Sequence, residues 1–124
     1  MHQRRILIVD DDAIFLGLLQ IFIDCLLPEC QIVTVGDGAT ALTELQQQPF
    51  DLILTDYDIP GMNGLDLIQA IRQISADIPI VLMTGRYNGY REIETRASSA
   101  NLAGFLSKPF AFLQLKDILQ QNGL

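Results

Sequence analysis

Five short apolar runs, residues 6–9, 31–35, 52–55, 80–83 and 104–107, limit what this chain can become. Each is too brief for a buried helix and is bounded by polar or turn residues, the pattern of strands covered on both faces. Between them lie stretches with apolar residues at helical spacing. Ile14, Leu18, Ile21, Phe22 and Cys25 predict a first helix with that stripe toward the core, opened by Asp12 as a cap and stopped by Pro28. Ala41, Leu42 and Leu45 mark a second helix, ended near Pro49, and Leu65, Ile68, Ile71 and Ile74 a third. A fourth, over about 90–100, has only Ile93 and Ala97 as its stripe, and Phe112, Leu115, Ile118 and Leu119 complete a fifth. Five strand–helix units in series require a parallel sheet with right-handed crossovers and helices on both faces.

A chain of 124 residues with 49% hydrophobic content makes one domain with a real core. No internal repeat or linker interrupts it, and a single domain over 1–124 with no output domain is expected. A net charge of -7 and a pI near 4.4 oppose direct nucleic-acid binding, which needs clustered Lys and Arg. No apolar run is long enough for a membrane span, and the start Met-His-Gln-Arg-Arg leads into a strand without a signal peptide. Cys25 and Cys30 fit no zinc pattern, and His2 alone cannot complete one. Two reduced cysteines packed as small apolar groups are expected, and with them a cytoplasmic location.

In such a sheet the C-terminal strand ends lie along one edge, where ligands bind. Asp10 and Asp11 end strand one, Asp56 ends strand three, Thr84 ends strand four and Lys108 follows strand five. The turn-rich passage from Asp56 through Pro60-Gly61 and Asn63-Gly64 makes Asp56 the leading reactive residue. Three carboxylates gathered in a small volume repel one another, and a hard divalent cation, Mg²⁺ or Mn²⁺, resolves the repulsion while leaving room for phosphate oxygens. A carboxylate nucleophile, a metal, a hydroxyl and a lysine together suit the forming and holding of an aspartyl phosphate.

The chain resembles the receiver domain of two-component response regulators over essentially its whole length. The resemblance is carried by Ile6-Leu-Ile-Val-Asp-Asp-Asp12, by Asp51-Leu-Ile-Leu-Thr-Asp-Tyr-Asp-Ile-Pro-Gly-Met-Asn-Gly64, by Ile78-Pro-Ile-Val-Leu-Met-Thr-Gly85 and by Gly104-Phe-Leu-Ser-Lys-Pro-Phe110, in that order. It implies a flavodoxin-like α/β fold with strand order 2-1-3-4-5. It also implies a phospho-switch or relay rather than a turnover enzyme. Asp56 would accept a phosphoryl group from a histidine kinase or histidine phosphotransfer protein. Asp11 would bind the metal directly, Asp10 would assist, and Asp58 would add its backbone carbonyl. Thr84 would move toward the phosphoryl group, Lys108 would pair with it, and a cis peptide would precede Pro109. The added charge would shift the domain toward an active arrangement read by a downstream protein.

Some positions depart from the family pattern. Phe105, on strand five, stands where the family's switch residue is commonly Tyr, and Gly85 replaces the more usual Ala. Asp58 and Arg86 occupy the positions that tune phosphoryl lifetime in the family. Helix one carries more apolar residues than one core face needs, among them Phe15 and Leu19, which predicts a docking surface for the phosphodonor. Tyr87, Tyr90 and Arg91 read as exposed loop residues, and Met62 and Met83 as packing. Two other readings stay open. Asp56-Tyr-Asp58 also resembles the nucleophile motif of haloacid-dehalogenase-type phosphatases, although that family places it on its first strand. The chain would equally suit a receiver cut from a hybrid kinase or a transcription regulator.

Overall fold

The computed structural model describes residues 3–85, 90–98 and 101–124. Strands β1 (Arg5–Val9), β2 (Gln31–Val35), β3 (Leu52–Asp56), β4 (Ile80–Thr84) and β5 (Gly104–Ser107) alternate with helices α1 (Ala13–Leu26), α2 (Gly38–Gln47), α3 (Gly64–Ile74), α4 (Tyr90–Ser98) and α5 (Phe112–Gln121). The strands pair in parallel in the order β2-β1-β3-β4-β5, as expected.

Alternation of side chains along each strand builds two cores. Leu7, Val9, Ile53, Ile80 and Leu82 face Ala41, Leu65, Ile68, Ile71 and Ile93 of α2, α3 and α4. Ile6, Ile8, Leu52, Leu54, Val81 and Met83 face Leu19 and Ile23 of α1 and Leu115, Ile118 and Leu119 of α5. Every residue of β3 and β4 is buried, so their apolar runs are continuous rather than alternating.

The helix boundaries follow local chemistry. Asp12 caps α1, its carboxylate accepting from the N–H groups of Ile14 and Phe15. Asp37 caps α2 through the Thr40 N–H, directly ahead of the helix's first residue, Gly38. Asn63 caps α3 through the Asp66 N–H.

The orientation of α1 corrects the expectation. Ile14, Leu18 and Ile21 are 87%, 48% and 60% exposed, and Cys25 is exposed as well. The buried face instead carries Leu19 and Ile23, flanked by half-buried Phe15, Leu16, Phe22 and Leu26. A helix apolar on all sides presents two stripes at helical spacing, and periodicity cannot choose between them. Leu19, at 1% exposure, is a core residue and offers a docking partner almost no surface. Ile74, placed on the α3 stripe, is 46% exposed at the end of its helix. Met83 is buried and Met62 packs against the α2–α4 core, as expected of both. Among the described residues, no helix is long and apolar enough to cross a membrane.

Candidate functional site

The register brings the strand ends together. Val9 lies beside both Val35 and Thr55, Asp56 beside Met83, and Thr84 beside Ser107. Asp10, Asp56, Thr84 and Lys108 therefore emerge at one edge. Asp10 is fully buried and is held by its backbone, the N–H donating to the Val35 carbonyl at 3.0 Å. Its Oδ1 accepts from the Asp12 N–H at 2.9 Å, tying the acidic turn to the start of α1. Asp11 is exposed. Carboxylate oxygens of Asp10, Asp11 and Asp56 lie within 4.8 Å of one another, a spacing that can hold a metal ion.

Among the described residues, Lys108 is the cation of this cluster. Its Nζ lies 2.7 Å from Asp10 Oδ2 and 3.4 Å from Asp56 Oδ2. Its own N–H donates to the Thr84 carbonyl at 2.7 Å, which fixes where the side chain departs from the sheet edge. The Lys108–Pro109 peptide is cis, as the resemblance implied. Burial pushes the Asp56 carboxyl up from 3.8 to about 6; Lys108 opposes the shift, and Asp10 and Asp58 add to it. Among the described residues, one ammonium faces three carboxylates, and an oxygen donor set of this kind fits a hard divalent cation.

The loop from β3 to α3 is closed by its own backbone. Gly64 N–H donates to the Tyr57 carbonyl at 2.7 Å, and Asp58 forms an isolated bridge with Asn63. Gly61 turns the chain at φ 85°. Gly64 admits no side chain, because a Cβ there would stand 2.6 Å from the Asp56 carbonyl oxygen and 2.9 Å from Tyr57 Cα. Asp58 is exposed on this loop at the rim of the acidic cluster.

Thr84 is fully buried, and Phe105 packs its ring into the α2–α4 core. Phe105 pairs with Leu82, and Thr84 follows Leu82 by two residues, so Thr84 and Phe105 share a face by strand alternation. Arg86 and Tyr87 lie outside the described residues, as does the side chain of Tyr90; Arg91 is exposed. Phe15 is half-buried and, with Leu18, Leu19, Phe22, Lys108, Pro109 and Phe110, lines a groove of about 220 Å³ beside the cluster.

Sequence reasoning passed over two contributors. Gly64 read only as a turn residue, and Phe15 read as part of a docking surface rather than of the charged cluster. In the structure the Phe15 ring lies under the Lys108 ammonium, 4.0 Å from Nζ to the ring centroid.

The chain belongs to the response regulator receiver domain family, which matches residues 6–120. Among curated relatives, two-component response regulator ARR14 of Arabidopsis thaliana is 31% identical over 116 residues, covering 94% of this chain and 30% of that protein. Among solved structures, chemotaxis response regulator CheY4 of Vibrio cholerae superposes with a TM-score of 0.84 at 26% identity, covering 98% of this chain and 99% of that one. The receiver domain of sensor histidine kinase PA1611 of Pseudomonas aeruginosa, whose structure holds a coordinated magnesium ion in the active-site cleft, superposes with a TM-score of 0.84. It covers 99% of this chain and 100% of that one, and at 23% identity it speaks for the fold alone. The chain spans only 18% to 46% of the length of the first curated relatives it matches. Family membership, with Asp56 on the third strand, takes the place of the dehalogenase-type reading.

Proposed function

We propose that the domain is a signalling phospho-switch in which Asp56 accepts a phosphoryl group from a phosphohistidine on a histidine kinase or histidine phosphotransfer protein. The observation that carries this is the convergence of Asp10, Asp11 and Asp56 with one lysine at the C-terminal edge of the sheet. Asp56 Oδ forms the new bond to phosphorus as the P–N bond to the donor imidazole breaks, and the departing imidazole keeps the electron pair and takes up a proton. No turnover of a phosphate ester is expected of the domain itself.

Asp10, Asp11 and Asp56, with the Asp58 carbonyl, would hold Mg²⁺ or Mn²⁺. Bound there, the ion would offset the charge of the carboxylates and of the incoming phosphoryl oxygens. Lys108 is placed to transfer its contact with Asp56 to a phosphoryl oxygen. Thr84 would shift toward that group, and Phe105, on the same face, would follow it inward, biasing a pre-existing equilibrium toward the arrangement a target protein reads. Asp58 and Arg86 would tune how long the phosphoryl group survives.

The donor's helices would dock over α1 beside the site. Exposed Ile14, Leu18 and Ile21 and the outer edge of Phe15 are the apolar groups open to it. A cytoplasmic location and a protein target, without direct contact to nucleic acid or membrane, complete the reading. Because the chain spans a fraction of its curated relatives, a receiver belonging to a larger kinase or regulator would have this same site.

The test is labelling by acetyl phosphate in the presence of Mg²⁺, read as a stoichiometric mass increase. Loss of the label in Asp56→Asn, and with chelator, supports the proposal. Label retained in Asp56→Asn overturns it.

A further inference from the structure

We infer that Phe15 is a positioning residue for Lys108, holding the ammonium against Asp10 and Asp56 through the face of its ring; this rests on the phosphoacceptor reading above. A lysine ammonium has three donors and no acceptor, and a free one belongs in water. Here Asp10 Oδ2 takes one direction at 2.7 Å and Asp56 Oδ2 lies along another at 3.4 Å. The remaining side meets the negative face of the Phe15 ring at 4.0 Å, within cation–π range. The three charged partners are largely shut away from solvent, with side-chain exposures of 18% for Lys108, 0% for Asp10 and 10% for Asp56.

The ring is itself fixed. Phe15 stands edge-on to Phe110, with centroids 5.7 Å apart and planes at 88°. Phe110 is two residues past Lys108, and Asp12 caps the turn of α1 that carries Phe15 by accepting from the Phe15 N–H. The residues that aim Lys108 therefore come from both ends of the chain, and the ring occupies the side from which water would draw the ammonium away. When Asp56 gains a phosphoryl group, the same platform keeps the ammonium in reach of the new oxygens.

Replacing Phe15 by phenylalanines bearing one, two and three ring fluorines keeps its shape while draining the negative face. With acetyl phosphate as donor, so that no protein partner touches α1, the labelling rate should fall in step with fluorine number, about two- to fivefold at the end of the series. Phe15→Tyr should label at the native rate, and Phe15→Leu should resemble the most fluorinated ring. In metal-free protein the same fluorination should lower the urea unfolding midpoint in the native background and leave it unmoved in Lys108→Met. A rate indifferent to fluorination, or an equal midpoint loss with and without Lys108, would overturn the inference. A native chain that takes no label at Asp56 would instead overturn the phosphoacceptor reading, while the unfolding series would still report on the Lys108–Phe15 contact.

Discussion

Lys108 holds Asp10 more closely than it holds Asp56, at 2.7 Å against 3.4 Å, although Asp56 is the residue proposed to react. The fully buried Asp10 thus keeps its partner, and the acceptor carboxylate is left with an oxygen that a metal or a phosphoryl donor can engage. Removing the ammonium would leave Asp10 as an uncompensated buried charge among like charges. Lys108→Met is expected to destabilise the metal-free domain by about 2–4 kcal/mol near neutral pH. Urea unfolding measures this, and the addition of Mg²⁺ or of Asp10→Asn should return most of the loss.

The pH dependence of stability follows from Asp56. Its folded-state pKa, pushed up to about 6 from 3.8, means that the folded domain binds a proton more tightly than the unfolded chain. The associated stability is complete below about pH 4 and is lost as pH rises through about 6. At most about 3 kcal/mol is involved. The native protein compared with Asp56→Asn, both metal-free, should therefore match best in acid and fall behind by a constant amount above about pH 7. Thermal melts across that range read the difference, and a gap that widens toward acid would contradict it.

Metal binding should displace that proton. Mg²⁺ is expected to raise the melting temperature strongly near pH 7 and weakly below pH 6, because the ligand carboxylate must be ionised. Asp11→Ala should abolish the metal-dependent shift while leaving the metal-free melt nearly unchanged, since Asp11 is exposed. Titration with Mg²⁺ followed by calorimetry checks both.

Substitutions on the two faces of helix α1 test folding and the proposed docking separately. Leu19→Glu buries a charge without a partner and should unfold the domain. Ile14→Glu and Leu18→Glu alter exposed positions and should change stability by less than about 0.5 kcal/mol. They should nevertheless slow transfer from a phosphohistidine protein while leaving labelling by acetyl phosphate intact. Equal rates with both donors would remove the docking face from α1.

Gly64→Ala tests the closure of the acceptor loop. Its Cβ would collide with backbone of Asp56 and Tyr57, which cannot give way as a flexible side chain would. A loss of about 2 kcal/mol or more is expected, with a slower acetyl-phosphate reaction as Asp56 is displaced.

Much of this was legible in the residues. The parallel series of strands and the edge at which Asp10, Asp56, Thr84 and Lys108 meet follow from short apolar runs, because each strand ends where its run ends; the order 2-1-3-4-5 was implied only by the family resemblance. The face of α1 did not follow, since Ile14, Leu18 and Ile21 have the same spacing as the residues that are buried. The side chain of Phe15 was visible as apolar, but nothing in its neighbours in sequence pointed to Lys108, 93 positions away.

What the amino-acid order determined by itself was the succession of strands and helices, the cap at Asp12, and the identity of the charged groups. These depend on local periodicity and on single side chains meeting nearby backbone. Tertiary structure alone decided which stripe of α1 meets the sheet, which carboxylate Lys108 holds closest, and how far burial lifts the Asp56 carboxyl. Those outcomes depend on distances and on exclusion of water between segments far apart in the chain, and such distances exist only once the sheet and its helices have closed together.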